Sequence, residues 1–198
     1  MAFKNDKRLE KKMKVNIDNI YHQIFPTITT ISRANEEQFY VEEISGLALL
    51  DKELGIDTII RFENGSFLTL QEKCRRYNNL SFNDFTFEYY NDPYVKSVGE
   101  WFKLAAQLYF YGYTNQEETD ICKYFILNIP EFRLFLLQYD TEKIKQKLEK
   151  NTKHGRANFL CISFNEIPKK CIMKSFTKKE KKLPQMADYS KIVKEMEV

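Results

Sequence analysis

An α/β fold, with a mixed central β-sheet flanked by helices, is predicted by three features of the 198-residue chain. Two apolar, β-rich runs stand on either side of Asn64-Gly65, the strongest short-range hairpin signal a sequence carries. Residues from about Asp6 to Gln23 repeat apolar side chains at helical spacing. Beyond the hairpin, strand-like and helix-like stretches follow one another as strand, helix, strand, strand, helix, strand, the order of a sheet carrying helices on its faces.

In the first helix Leu9, Met13, Ile17, Ile20 and Tyr21 recur on one side, and Pro26 ends it. Thr27 to Asn35 is polar and breaks the pattern. Asn35 starts a short helix with Glu36 and Glu37 in its first turn, where the helix dipole favours acids. Leu47 to Asp51 reads as a short strand that leads into the hairpin. Phe85 to Tyr90 alternates as a further strand, and Asn91-Asp92-Pro93 caps a helix running to about Ala106. That helix carries Lys96 and Lys103, with Trp101 and Phe102 read as core packing. Leu108 to Tyr113 and Tyr124 to Leu127 are strands, Ile129 to Lys150 a long helix, and Asn158 to Ile167 a last strand. A closing helix from Met186 to Met196 is weakly signalled.

Composition sets the class. A hydrophobic fraction of 43% and an aromatic fraction of 15% exclude a disordered chain. Residues 1–198 are read as one domain, with a basic helical arm over about 1–25 and a lysine-rich tail over about 168–198. Net charge is only +3, but Lys4, Lys7, Arg8, Lys11, Lys12 and Lys14 crowd one end. Lys169, Lys170, Lys174, Lys178, Lys179, Lys181 and Lys182 crowd the other. Such runs are either solvated faces or contacts to DNA. Cys74, Cys122, Cys161 and Cys171 lack metal-finger spacing and read as reduced thiols. With no signal peptide and no apolar run long enough to span a bilayer, the expected setting is cytoplasmic, without membrane contact.

The stretch with chemical content runs from Leu54 to Arg76. Asp57 opens the first hairpin strand, and Gln71 and Lys73, two residues apart on the second, emerge on one face. A strict two-residue turn at Asn64-Gly65 pairs Asp57 with Glu72 and points Gln71 and Lys73 away from Asp57. A register shifted by one, through a bulge or a three-residue loop, brings Asp57, Gln71 and Lys73 together. It also groups Ile56, Ile60 and Phe62 with Leu68 and Leu70 on the other face. Hydrophobic grouping therefore predicts the shifted register, which leaves Glu72 on the apolar side, near its edge.

The segment resembles the core of the PD-(D/E)XK nucleases, whose signature is an Asp at one strand's start and an acid-x-Lys on the next. By position Asp57 matches the Asp, Gln71 the acid and Lys73 the lysine, while Gly55-Ile56 replaces the family's proline and Glu72 its apolar middle residue. The resemblance covers roughly Asn35 to Leu127 in outline and implies a restriction-endonuclease-like core. It implies Mg2+, with Mn2+ able to substitute, on Asp57 and Gln71, and a water-orienting, charge-stabilising role for Lys73. The family often adds a helix glutamate; Glu36, Glu37, Glu42 and Glu43 are the candidates, Glu43 being carried forward. Arg75, Arg76, Lys96 and Lys103 are the candidates for holding DNA phosphates.

The expected function is thus a metal-dependent endonuclease of double-stranded DNA, of the homing, mobile-element or phage type, working as a homodimer or tetramer. Two other readings stand beside it: a non-catalytic nucleic-acid-binding protein on a degenerate nuclease fold, and a nuclease acting on RNA. In the plainest reading of the residues, Asp57 only opens a strand and Gln71 and Lys73 lie on its solvated face.

Overall fold

A computed structural model describes residues 2–34, 50–51, 53–92, 94, 97–150 and 157–178. The chain opens with α1 (Ala2–Ile24), whose Leu9, Met13, Ile17 and Tyr21 recur every four residues and are all buried. β1 (Ile28–Arg33) follows directly, where polarity predicted a break. The β-branched run Ile-Thr-Thr-Ile fits a half-buried edge strand, and β1 pairs antiparallel with β2 (Thr58–Phe62).

β2 and β3 (Phe67–Arg75) form the central hairpin in the shifted register, with Ile60 opposite Leu68 and Thr58 opposite Leu70. The turn spans three residues. Gly65 N–H donates to Phe62 O at 2.9 Å and Phe62 N–H to Ser66 O at 3.0 Å, with Gly65 at φ +79°. That is a turn closed by a left-handed glycine, which a side chain would strain.

After a 3-10 turn (Tyr77–Phe82) come β4 (Asp84–Asp92), β5 (Ser97–Val98) and the four-residue α2 (Glu100–Lys103). The expected helix through Ala106 is therefore cut to one turn. Residues 97–98 pair with β4, and Gly99 N–H donates to Tyr89 O at 3.0 Å. β6 (Leu108–Thr114) and β7 (Ile121–Asn128) are the two expected strands, both slightly longer.

The long helix expected from Ile129 is broken into α3 (Ile129–Leu136) and α4 (Thr141–Lys147), followed by β8 (Leu148–Lys150). Asn128 caps α3 by accepting from Glu131 N–H, and Asp140 restarts the helix by accepting from Lys143 N–H at 2.8 Å. β9 (Asn158–Ser163) is the expected strand, shortened. The described residues of the lysine-rich tail include a 3-10 turn at Lys169–Cys171 and β10 (Ile172–Thr177). Leu50 and Asp51 are helical rather than strand. The expected helices starting at Asn35 and at Met186 lie outside the described residues.

The fold is α/β with a mixed six-stranded sheet, ordered β1-β2-β3-β6-β7-β10, in which only β3 and β6 are parallel. α1 covers one face, where Leu9, Met13, Ile17 and Tyr21 meet Ile60, Leu70, Phe110 and Ile126. From Leu9 to Tyr21, α1 is thus a packed layer of the fold. The other face meets a second sheet, β5-β4-β9-β8, together with α3, through an aromatic core around Phe85, Phe87, Tyr109, Tyr111 and Phe132. Trp101 joins that core, while Phe102 is half exposed against Tyr89. Among the described residues, no helix is long and apolar enough to cross a membrane.

Candidate active site

The sheet face that meets the second core carries Gln71, Lys73 and Arg75 in a row on β3, beside Tyr109, Tyr111 and Tyr113 of β6. Asp57 is bound to this row at its start. Its N–H donates to Leu70 O at 2.9 Å, and its Oδ2 accepts Glu72 N–H at 2.9 Å, so the residue straddles Gln71. The shifted register sets Asp57 beside Gln71, with Lys73 two residues further along the same face of β3.

Gln71 is 9% exposed, and its buried Oε1 has no hydrogen-bond partner among the described residues. A buried acceptor left unmatched costs about 1–3 kcal/mol, so its position asks for a ligand. The side chain lines a cavity of about 280 Å3 shared with Asp51, Glu88, Asn91, Glu100 and Lys103. Neither Asp57 nor Lys73 is among that cavity's lining residues; Lys73 Nζ donates to Thr86 O at 3.2 Å and lies 5.5 Å from the Phe159 ring centre.

The electrostatics are those of crowded, poorly solvated acids. Burial pushes the Asp57 carboxyl up to about 8, the Glu72 amide opposes this, and the charges of Asp51, Glu72 and Glu100 add to it. Burial also raises Glu100, against the pull of Lys73, while Glu88 and Asp51 push it further up. Tyr109 OH donates to Glu100 Oε1 at 3.3 Å.

Glu100 and Glu88 escaped sequence reading because no motif spacing links them to Asp57. A glutamate placed directly after Gly99 was the available sign. Asp51, read as the end of a strand, is a helical residue in the cavity wall. Glu43, like Glu36, Glu37 and Glu42, lies outside the described residues, as does Lys96.

Arg75 and Arg76 are committed elsewhere. Arg75 donates to Tyr111 OH at 3.0 Å, Asp84 Oδ1 at 3.2 Å and Asn79 Oδ1 at 3.4 Å, which ties β3 to β4. Arg76 is ion-paired with Glu118. Lys103 is exposed at the cavity.

Glu72 is not near the edge of the apolar face, as expected, but deep in it beneath α1. It accepts from Tyr21 OH at 2.9 Å and Thr58 Oγ1 at 2.8 Å, and Arg33, itself 5% exposed, bridges it to Asp18. Its charge is matched by the Arg33 guanidinium, which donates to both carboxylate oxygens, and by the two hydroxyls on Oε1. The middle residue of Gln-Glu-Lys therefore clamps the hairpin to the helix.

Among the described residues no three Asp, Glu, His or Cys side chains form a group able to hold a metal by themselves. The donors present are a carboxylate beside a buried, unmatched amide oxygen. That set fits a hard cation such as Mg2+, which takes one or two protein carboxylates and keeps several waters. No protein-family model matches the chain, and comparison with curated proteins gives no match.

Proposed function

We propose that the chain is a divalent-metal-dependent endonuclease of double-stranded DNA, with Asp57, Gln71 and Lys73 as its reacting centre. The observation that carries this reading is the unmatched Oε1 of Gln71, buried next to a carboxylate and two residues from Lys73. Asp57 and Gln71 would hold the ion, which when bound supplies charge neutralisation and an activated water. Lys73, fixed by the Thr86 carbonyl, orients the attacking water and meets the negative charge that builds on the phosphate. Lys103 is the cation placed to hold a flanking phosphate. The exposed Arg8, Lys11 and Lys12 of α1 lie across the six-stranded sheet from the site and serve only DNA that extends beyond it.

A non-catalytic nucleic-acid-binding protein is the second reading, favoured by Gln71 standing at an acid position and by the absence of a three-acid group among the described residues. Incubation of supercoiled plasmid with the protein, in Mg2+, in Mn2+ and in chelator, separates the two. Nicking or linearisation that needs metal and is lost in Asp57→Asn supports the nuclease. Retardation of the plasmid without cutting supports the binding protein, and cutting of an RNA duplex alone would move the substrate to RNA.

A further inference from the structure

We propose that Glu100 is a third oxygen ligand of the cation held by Asp57 and Gln71. This rests on the metal reading of Asp57 and Gln71 and deepens it.

The geometry brings Glu100 to the ion from a different part of the chain. Gln71 and Tyr109 are direct neighbours in the parallel β3–β6 ladder. The hydroxyl of Tyr109 donates to Glu100 Oε1 at 3.3 Å, which fixes the carboxylate over the strand adjoining Gln71. On its other side, the exit of α2 is tied to the segment leading into Asp57, since Ala105 N–H donates to Leu54 O at 2.7 Å. Glu100 is seated by Gly99, where an added Cβ would fall 2.3 Å from the Glu88 carbonyl oxygen. Only a glycine lets the chain pass so close to β4.

Glu100 and Gln71 line the same cavity, and the buried Oε1 of Gln71 has no hydrogen-bond partner among the described residues. Two carboxylates, one amide oxygen and retained waters make a coordination set for a hard divalent ion. Glu88 shares the cavity wall without such a tie to the Gln71 strand among the described contacts, so it supplies field rather than a ligand bond.

The test is Mn2+ binding, read from the loss of the free-ion paramagnetic resonance signal, on the full chain stripped of metal. Glu100→Gln should weaken binding about tenfold or more, as should Gln71→Met, while Glu88→Gln should stay within about threefold of the parent. Circular dichroism confirms that each variant is folded, and Glu100→Ser serves if Glu100→Gln is not. Unchanged affinity in the Glu100 variant overturns the proposal. Equal weakening by Glu88→Gln also overturns it, because a diffuse negative field would then suffice. Loss of binding in Asp57→Asn with none in Glu100→Gln sinks this inference alone. A parent protein that binds no Mn2+ sinks it together with the metal reading.

Discussion

The carboxylate of Asp57 accepts the backbone N–H of Glu72 at 2.9 Å, across the strand position that carries Gln71. An acid that bonds the ladder of its partner strand cannot swing away from it. The bond fixes Asp57 beside Gln71 whether or not it is charged, and it leaves a carboxyl in a place where burial disfavours ionisation.

That placement makes stability depend on pH. Burial pushes Asp57 from 3.8 up to about 8 in the folded chain. Its contribution is fully present below pH 4 and is lost as pH rises through about 8, because the unfolded chain sheds the proton first. Without divalent ions, Asp57→Asn should therefore melt higher than the parent at pH 8.5, by roughly 2–4 °C for each kcal/mol relieved. The gap should shrink toward pH 5. Thermal melts from pH 5 to 9 check this, and parallel curves for the two proteins would mean that Asp57 is solvated.

Gln71→Glu puts a second carboxylate beside the first. The metal-free protein should lose stability above about pH 6, while affinity for Mn2+ should rise about tenfold. Melting curves with and without Mn2+ give both quantities. A variant that loses stability and gains no metal affinity would show that position 71 does not face the ion.

The clamp under α1 is a separate matter of stability. Glu72→Ala leaves the buried Arg33 with Asp18 as its remaining carboxylate partner among the described contacts, and should cost about 3 kcal/mol. Replacing Arg33 by Met and Glu72 by Leu together should cost less than the two single changes added. Urea unfolding measures both. Additive losses would mean that the pair does not interact.

How far the site could be read from sequence differs residue by residue. The register was legible because Ile60, Leu68 and Leu70 have only one arrangement that buries them together, and a one-residue slip would expose them. Polarity hides β1, because Thr29 and Thr30 act in it as β-branched strand residues rather than as polar breakers. The helix expected after Pro93 gave way to β5 and one turn because Gly99 packs against the Glu88 carbonyl, a contact no local pattern contains. The burial of Glu72 depends on Arg33, thirty-nine positions away. Glu100 likewise reaches the site only through tertiary placement.

Arg75 and Lys103 should separate structure from DNA contact. Arg75→Ala removes the bonds to Tyr111 and Asp84 and should lower stability by about 1–3 kcal/mol, with DNA affinity per folded molecule unchanged. Lys103→Gln should leave stability alone and reduce the slope of log affinity against log salt by about 0.9. Binding at several salt concentrations decides it. The reverse pattern would return Arg75 to the DNA face.

The reacting centre itself is tested most directly by single-turnover cleavage of a labelled duplex in Mg2+, with DNA affinity measured alongside. Asp57→Asn and Lys73→Ala should each slow cleavage at least about 100-fold while DNA affinity stays within about threefold of the parent. Cleavage at the parent rate by either folded variant would contradict the assignment of Asp57, Gln71 and Lys73 as the site of chemistry.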